Sequence, residues 1–305
     1  MRKSCLLQQN WQFRFIAAKN KTAQPGLKKK GWQPATVPGT VHTDLLTGKQ
    51  IPDPFYADTE VTLDWICKNN WQYRNQFNLP PDFEVSKPLY IIFDGIDTFA
   101  EISLNGHVLG NAENMFRTYR WEISRYVSRK KNILLVTFTN PFEIYQNIRR
   151  NKGADSDPSW EPRVYLRKAQ YSFGWDWGPA LPTMGIWRQV RLEQDDRIRI
   201  KALRFTTREI KNKRARIKIT VDCEGRGEQI SAVRVRLAGQ RSHYETFQTP
   251  SSTSKGQLQY IFDWEIADPL LWWPNGMGKA NLYDLEATVL DQPRFDYTRF
   301  SYSYG

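Results

Sequence analysis

Apolar residues along this chain fall into short runs and strict alternations, with little helical spacing. Leu89-Tyr-Ile-Ile-Phe93 is apolar throughout, the pattern of a strand buried on both faces. Phe99 to Leu104 and His107 to Leu109 flank Asn105-Gly106. That dipeptide is a strong hairpin signal, because both residues tolerate the positive φ of a type I′ turn. Asn132 to Phe138 reads as another strand, stopped by Asn140-Pro141. Helical spacing predicts only two short helices, Thr40 to Leu46 and Pro141 to Arg150.

The texture changes near Glu193-Gln-Asp-Asp196. Beyond it, about seven strands are predicted: around Lys201–Phe205, Ala215–Cys223, Ala232–Ala238, Tyr244–Gln248, Gln257–Trp264, Leu282–Val289 and Arg294–Ser301. Ser251 to Gly256 reads as a polar loop and Glu224-Gly-Arg-Gly227 as a turn. The fold class is therefore all-β: a jelly-roll β-sandwich over residues 1–195, then an immunoglobulin-like β-sandwich over 196–305. A length of 305 residues agrees with two domains at ~150 residues each.

Charge tests this picture. Lys and Arg number 44 against 32 Asp and Glu, a net +12 that raises nucleic acid as a partner. In Arg197-Ile-Arg-Ile-Lys201, Arg214-Ala-Arg-Ile-Lys218 and Val233-Arg-Val-Arg-Leu237 the bases alternate with aliphatics. Period two places them on one strand face, a solvated outer sheet surface. No aromatic interleaving or recognition-module motif accompanies them, so no nucleic-acid partner is expected. No apolar run reaches the ~18 residues of a membrane span, so no membrane partner is expected either. Cys5, Cys67 and Cys223 are too far apart for a disulfide framework or metal cluster, and His42, His107 and His243 are equally scattered. No cofactor or metal is expected. Cys5-Leu-Leu7 is too short for the core of a secretory signal, which makes the cytoplasm the default location.

Candidate chemistry concentrates in Tyr171-Ser-Phe-Gly-Trp-Asp-Trp-Gly-Pro179. Gly174 and Gly178 bracket Trp175-Asp176-Trp177, which predicts a turn or loop there. A carboxylate between two indoles has two readings. In one, the indoles are core, and Asp176 caps backbone N–H groups or pairs with Arg167 or Lys168. In the other, an aromatic plate and an acceptor face a polyhydroxylated ligand, with sugar C–H faces on the rings and hydroxyls donating to the carboxylate. No acid pair elsewhere stands in a catalytic context, and phosphate-loop, serine-elbow, zinc-helix and dinucleotide motifs are absent from the sequence.

Several strings then occur in order: Val37-Pro-Gly-Thr-Val-His42, Asp53-Pro-Phe55, Trp71-Gln-Tyr-Arg74, Phe93-Asp-Gly-Ile-Asp-Thr-Phe-Ala100, Leu104-Asn-Gly106 and Asn114-Met-Phe-Arg117. Arg167-Lys-Ala-Gln-Tyr171, Phe173-Gly-Trp-Asp-Trp-Gly-Pro179 and Gly185-Ile-Trp187 follow. Together they resemble the N-terminal, galactose-binding-like domain of β-mannosidases in glycoside hydrolase family 2. Leu271-Trp-Trp-Pro-Asn-Gly276 with Leu282-Tyr283 resembles the immunoglobulin-like domain that follows.

The resemblance implies a terminal-mannose pocket in which Asp176 accepts hydrogen bonds from sugar hydroxyls and Trp175 forms a wall. Trp177 is a further wall or a core residue, and Arg167 orients Asp176 or is an exposed strand arginine. The family's two catalytic glutamates lie on a (β/α)₈ barrel that follows these domains, and the acid/base is preceded by Asn. No Asn-Glu dipeptide occurs here. The chain is thus expected to be a non-catalytic front portion, inactive alone, with a β-mannoside or manno-oligosaccharide and a (β/α)₈ domain, in cis or trans, as partners. A free-standing carbohydrate-binding module is the alternative. His42 is expected to help set the early helix, and Trp272-Trp273 to serve packing between domains.

Overall fold

The computed structural model describes residues 3–16, 27, 31–152, 162–194, 199–224, 230–239, 243–248, 257–291 and 298–304. The polar loop Ser251–Gly256 and the turn around Gly225–Gly227 lie outside them. Two compact units divide the chain, Met1–Asp195 and Asp196–Gly305.

The first unit opens with β1 (Lys3–Leu6), β2 (Trp11–Ile16), β3 (Gln33–Pro34), α1 (Val41–Thr47) and α2 (Thr59–Leu63). β4 (Asn70–Phe77), β5 (Leu89–Phe93), β6 (Ala100–Leu104), β7 (His107–Ala112), β8 (Tyr119–Glu122) and β9 (Asn132–Phe138) follow. Then come α3 (Pro141–Lys152), the short strands β10 (Phe173–Trp175) and β11 (Gly178–Ala180), and β12 (Val190–Gln194). Two antiparallel sheets form the sandwich, ordered β1-β12-β5-β8 and β3-β2-β4-β9-β6-β7. Alternation decides which side chains meet between them. Trp71, Tyr73 and Phe77 of β4 and Leu134, Val136 and Phe138 of β9 join Leu89, Ile91 and Phe93 of β5 in one buried cluster. Each such side chain contributes about 1.5–3 kcal/mol through burial.

Local chemistry explains the connections. Asn105 and Gly106 have φ of 51° and 84°, as the type I′ turn requires, and Leu104 pairs with His107 across it. Thr40 caps α1: its hydroxyl accepts from Thr43 N–H at 3.3 Å, while the Thr43 hydroxyl accepts from Thr40 N–H at 2.9 Å. Asn140 Oδ1 accepts from Glu143 N–H at 2.9 Å at the start of α3. His42 is buried on α1, and its Nδ1 has no hydrogen-bond partner among the described residues, so the cap belongs to Thr40 and Thr43. The five-residue α2 was not predicted; it is too short to show a period.

The N-terminus of α1 is held from behind. Gly39 N–H donates to Ile186 O at 2.9 Å and Val41 N–H to Met184 O at 2.8 Å. Gly185 sits between these bonds, where an added Cβ would lie 2.5 Å from Gly39 O and 2.6 Å from Thr40 Cα. Both obstacles are backbone, which cannot rotate aside. Gly185→Ala is expected to cost about 2 kcal/mol, the overpacking range, read from urea unfolding of the chain. An unchanged midpoint would show that this approach is looser than the geometry indicates.

The second unit contains β13 (Arg199–Lys211), β14 (Arg214–Glu224), β15 (Ile230–Ala238), β16 (His243–Gln248), β17 (Gln257–Ala267), β18 (Tyr283–Asp291) and β19 (Thr298–Tyr304). They make two antiparallel sheets, β13-β14-β17 and β16-β15-β18-β19, a seven-strand sandwich of immunoglobulin-like size. Ile217, Ile219 and Val221 of β14 and Val233, Val235 and Leu237 of β15 fill its core. Several arginines of these sheets pair across strands. Arg199 pairs with Glu224, Arg204 with Asp222 at 2.6 Å, and Arg214 with Glu265. Trp272 and Trp273 are exposed and line a groove of about 260 Å³ with Phe205 and Tyr283. No helix among the described residues is long and apolar enough to cross a membrane.

Candidate functional site

The segment singled out by its composition is a small hairpin standing off the first sandwich. A 3₁₀ turn, Gln170–Ser172, leads into β10, and Phe173 pairs with Ala180 and Trp175 with Gly178. Asp176 and Trp177 form the two-residue turn. The turn or loop expected over Trp175-Asp176-Trp177 is found at Asp176 and Trp177, while Trp175 closes a short strand, Phe173–Trp175, that faces Gly178–Ala180. Gly174 permits this, with φ of 79° and no room for a Cβ, which would lie 3.0 Å from Ala180.

Both indoles are turned to solvent. Trp175 is 53% exposed and Trp177 83% exposed, so neither is core. Asp176 is exposed as well and makes no hydrogen bond or ion pair among the described residues. The structural reading, in which Asp176 pairs with Arg167 or Lys168, is corrected here. Lys168 is buried and pairs with Asp97 at 2.6 Å. Arg167 reaches the site's surroundings through its backbone: it bridges Asn114, and its carbonyl accepts from Met115 N–H at 3.0 Å. The Arg167 side chain is exposed and makes no ion pair with Asp176.

Trp175 and Trp177 wall an open concavity of about 750 Å³. Phe55 and Tyr171 stand in the same wall, 75% and 80% exposed. Asp176 is not among the lining residues. Phe55 is presented by an Asx-type turn in which Asp53 Oδ1 accepts its N–H at 2.9 Å. The arginine in this wall is Arg163, whose guanidinium lies 5.4 Å from the Trp175 ring centroid, within cation–π range. Sequence reasoning missed Phe55, Tyr171 and Arg163 as site residues, although Phe55 ends one of the quoted strings. Among the described residues no cluster of three or more His, Cys, Asp or Glu could hold a metal.

A mostly aromatic wall with a free carboxylate at its tip suits a ligand with apolar C–H faces and many hydroxyls. Residues 11–188 match the family described as "Glycosyl hydrolase 2 galactose-binding domain-like". The chain belongs to glycoside hydrolase family 2. Residues 198–296 match a second description, "Glycosyl hydrolases family 2", so both units fall within it.

The relatives it resembles are β-mannosidases. Beta-mannosidase B of Thermothelomyces thermophilus is 33% identical over 292 residues, covering 93% of this chain and 32% of that protein. The beta-mannosidase of Capra hircus is 33% identical over 275 residues, covering 84% of this chain and 30% of its own length. The crystal structure of a beta-D-mannosidase from Dictyoglomus thermophilum superposes with a TM-score of 0.74 at 32% identity, covering 98% of this chain and 36% of that one. The chain thus spans about a third of the length of the relatives it matches.

Proposed function

We propose that the first unit forms one wall of the terminal-mannose pocket of a β-mannosidase. Trp175 and Trp177 pack against the sugar ring, and Asp176 accepts hydrogen bonds from its hydroxyls. A (β/α)₈ domain, in cis or in trans, supplies the acid/base and nucleophile and closes the opposite side. The observation that carries this reading is the exposed Asp176 carboxylate, without a partner among the described residues, between two solvent-facing indoles. A carboxylate that only capped or paired would be engaged already. The exposed aromatic group of Phe55, Tyr171 and Trp177 supports it further, since an apolar surface of this kind fits a covering partner.

Two carboxyl groups about 5–5.5 Å apart are needed for retaining hydrolysis, and this hairpin offers only Asp176. The 305-residue chain is therefore expected to leave p-nitrophenyl β-mannoside intact, and to support its hydrolysis once joined to a family barrel. In that assembly Asp176→Ala should lower kcat/KM by about 10–100-fold, the range for losing a hydrogen bond to a charged acceptor. Turnover by the chain alone would sink the reading. A free-standing carbohydrate-binding module is favoured by one observation, that the aromatic concavity lies within a single unit. Saturable calorimetric binding of manno-oligosaccharide by the chain alone, abolished by Asp176→Ala, would select it.

A further inference from the structure

The hairpin has little to hold it in place by itself. It has two paired positions, its indoles are exposed, and an isolated two-stranded ribbon is marginal in water. Its stems, however, converge on a sealed polar cluster. The side chains of Lys168, just before the 3₁₀ turn, and Asp97, in the β5–β6 connection, are each 1% exposed. The Lys168 ammonium donates to Asp97 Oδ1 and Oδ2, both at 2.6 Å, and to Thr183 O at 2.8 Å. Those three acceptors use its three N–H groups. Thr183 Oγ1 donates to Asp97 Oδ2 at 2.7 Å, and the Thr98 hydroxyl donates to Oδ1. Asp97 and Gly185 also exchange both backbone hydrogen bonds, each at 2.8 Å.

Lys168 and Thr183 are 15 positions apart in the chain and flank the whole hairpin segment. One carboxylate therefore binds the incoming stem through an ammonium group and the outgoing stem through a hydroxyl. A buried ion pair is a poor source of stability, since its desolvation offsets most of its attraction. What it supplies is direction, because charge-assisted hydrogen bonds are short and geometrically demanding. We propose that the Asp97–Lys168–Thr183 cluster is the anchor that sets the position of the Trp175-Asp176-Trp177 tip, with Lys168 as a positioning residue. Its consequence for sugar recognition rests on the function proposed above; the anchoring does not.

Hydrogen exchange followed by mass spectrometry on the 305-residue chain tests this. Lys168→Met with Asp97→Asn removes both charges and leaves an acceptor for the two threonine hydroxyls. Amides of residues 170–182 are expected to exchange about 10-fold faster, with those of β4 and β5 at the wild-type rate. Thr183→Val, a smaller change that keeps the ion pair, should speed the same amides by a lesser factor and serves if the double variant does not fold. A pair that only stabilised the sandwich would raise exchange in β4 and β5 as well, and that result overturns the proposal. Unchanged hairpin exchange in a folded variant overturns it too. Faster hairpin exchange together with an Asp176→Ala assembly of unaltered kcat/KM would leave the anchor standing and retire the mannose reading.

Discussion

Replacing Trp71 with alanine is expected to destabilise the first unit by about 4 kcal/mol, within the range for deleting a large aromatic from a core. Trp71 is fully buried, stacks on Phe13 at 5.9 Å, meets the Phe15 ring edge-on at 5.4 Å and lies 6.0 Å from Trp65. Alanine would remove the shared surface of three rings near the start of β4, which pairs with β2 on one side and β9 on the other. The β-ladder resists collapse into the space, so a cavity remains and adds to the lost burial. The indole N–H also donates to Ile66 O at 2.9 Å, and that carbonyl would lose its partner. For a unit of this size the melting temperature should fall by roughly 8–16 °C. Scanning calorimetry checks this, with the transition of the second unit, which has its own core, as internal reference. Trp71→Phe separates the contributions: it keeps most of the ring contacts, loses the hydrogen bond, and should cost about 1–2 kcal/mol. A fall below about 3 °C for Trp71→Ala would mean that β4 relaxes far more than a six-stranded sheet should allow.

What the sequence reveals of this fold follows from how local each determinant is. β14 and β15 are visible because one face of each is buried, so period two is written directly into Arg214-Ala-Arg-Ile-Lys218 and Val233-Arg-Val-Arg-Leu237. The Asn105-Gly106 turn is visible because its φ values need those residue types. The hairpin at Trp175 escapes, because arms of three residues carry no readable alternation and both indoles face solvent. The site's partners escape for another reason. Arg167 lies closer to Asp176 in sequence, yet it is Arg163 that reaches the Trp175 ring. Lys168 reads as a possible partner of nearby Asp176, yet the fold brings Asp97, 71 positions away, against it. Composition locates the Trp-Asp-Trp tip, but only tertiary contacts show what stands behind it.

Dependence of stability on pH is where two buried groups on α1 should oppose each other. His42 has its pKa lowered from 6.5 to about 4, chiefly by burial, with the Lys168 charge adding to this and Asp97 opposing it. Its folded form binds a proton less readily than the unfolded chain. Its contribution is therefore complete above 6.5 and is lost as pH falls toward 4. Asp44 behaves in reverse: burial raises its pKa from 3.8 to about 6, against the hydrogen bonds donated by Tyr73 OH at 2.7 Å and Thr36 N–H at 2.8 Å. Its contribution is complete below 3.8 and is lost as pH rises toward 6. Each shift corresponds to about 3 kcal/mol, so between pH 4 and 6 the two slopes nearly cancel in the wild type. Removing one exposes the other. Relative to wild type, Asp44→Asn should gain about 3 kcal/mol of stability between pH 4 and 6, and His42→Gln should lose about as much between pH 4 and 6.5. Urea unfolding at closely spaced pH values reads both differences while cancelling the contributions of every other carboxylate. Parallel curves for wild type and both variants would show that neither group is held away from its ordinary titration in the folded chain.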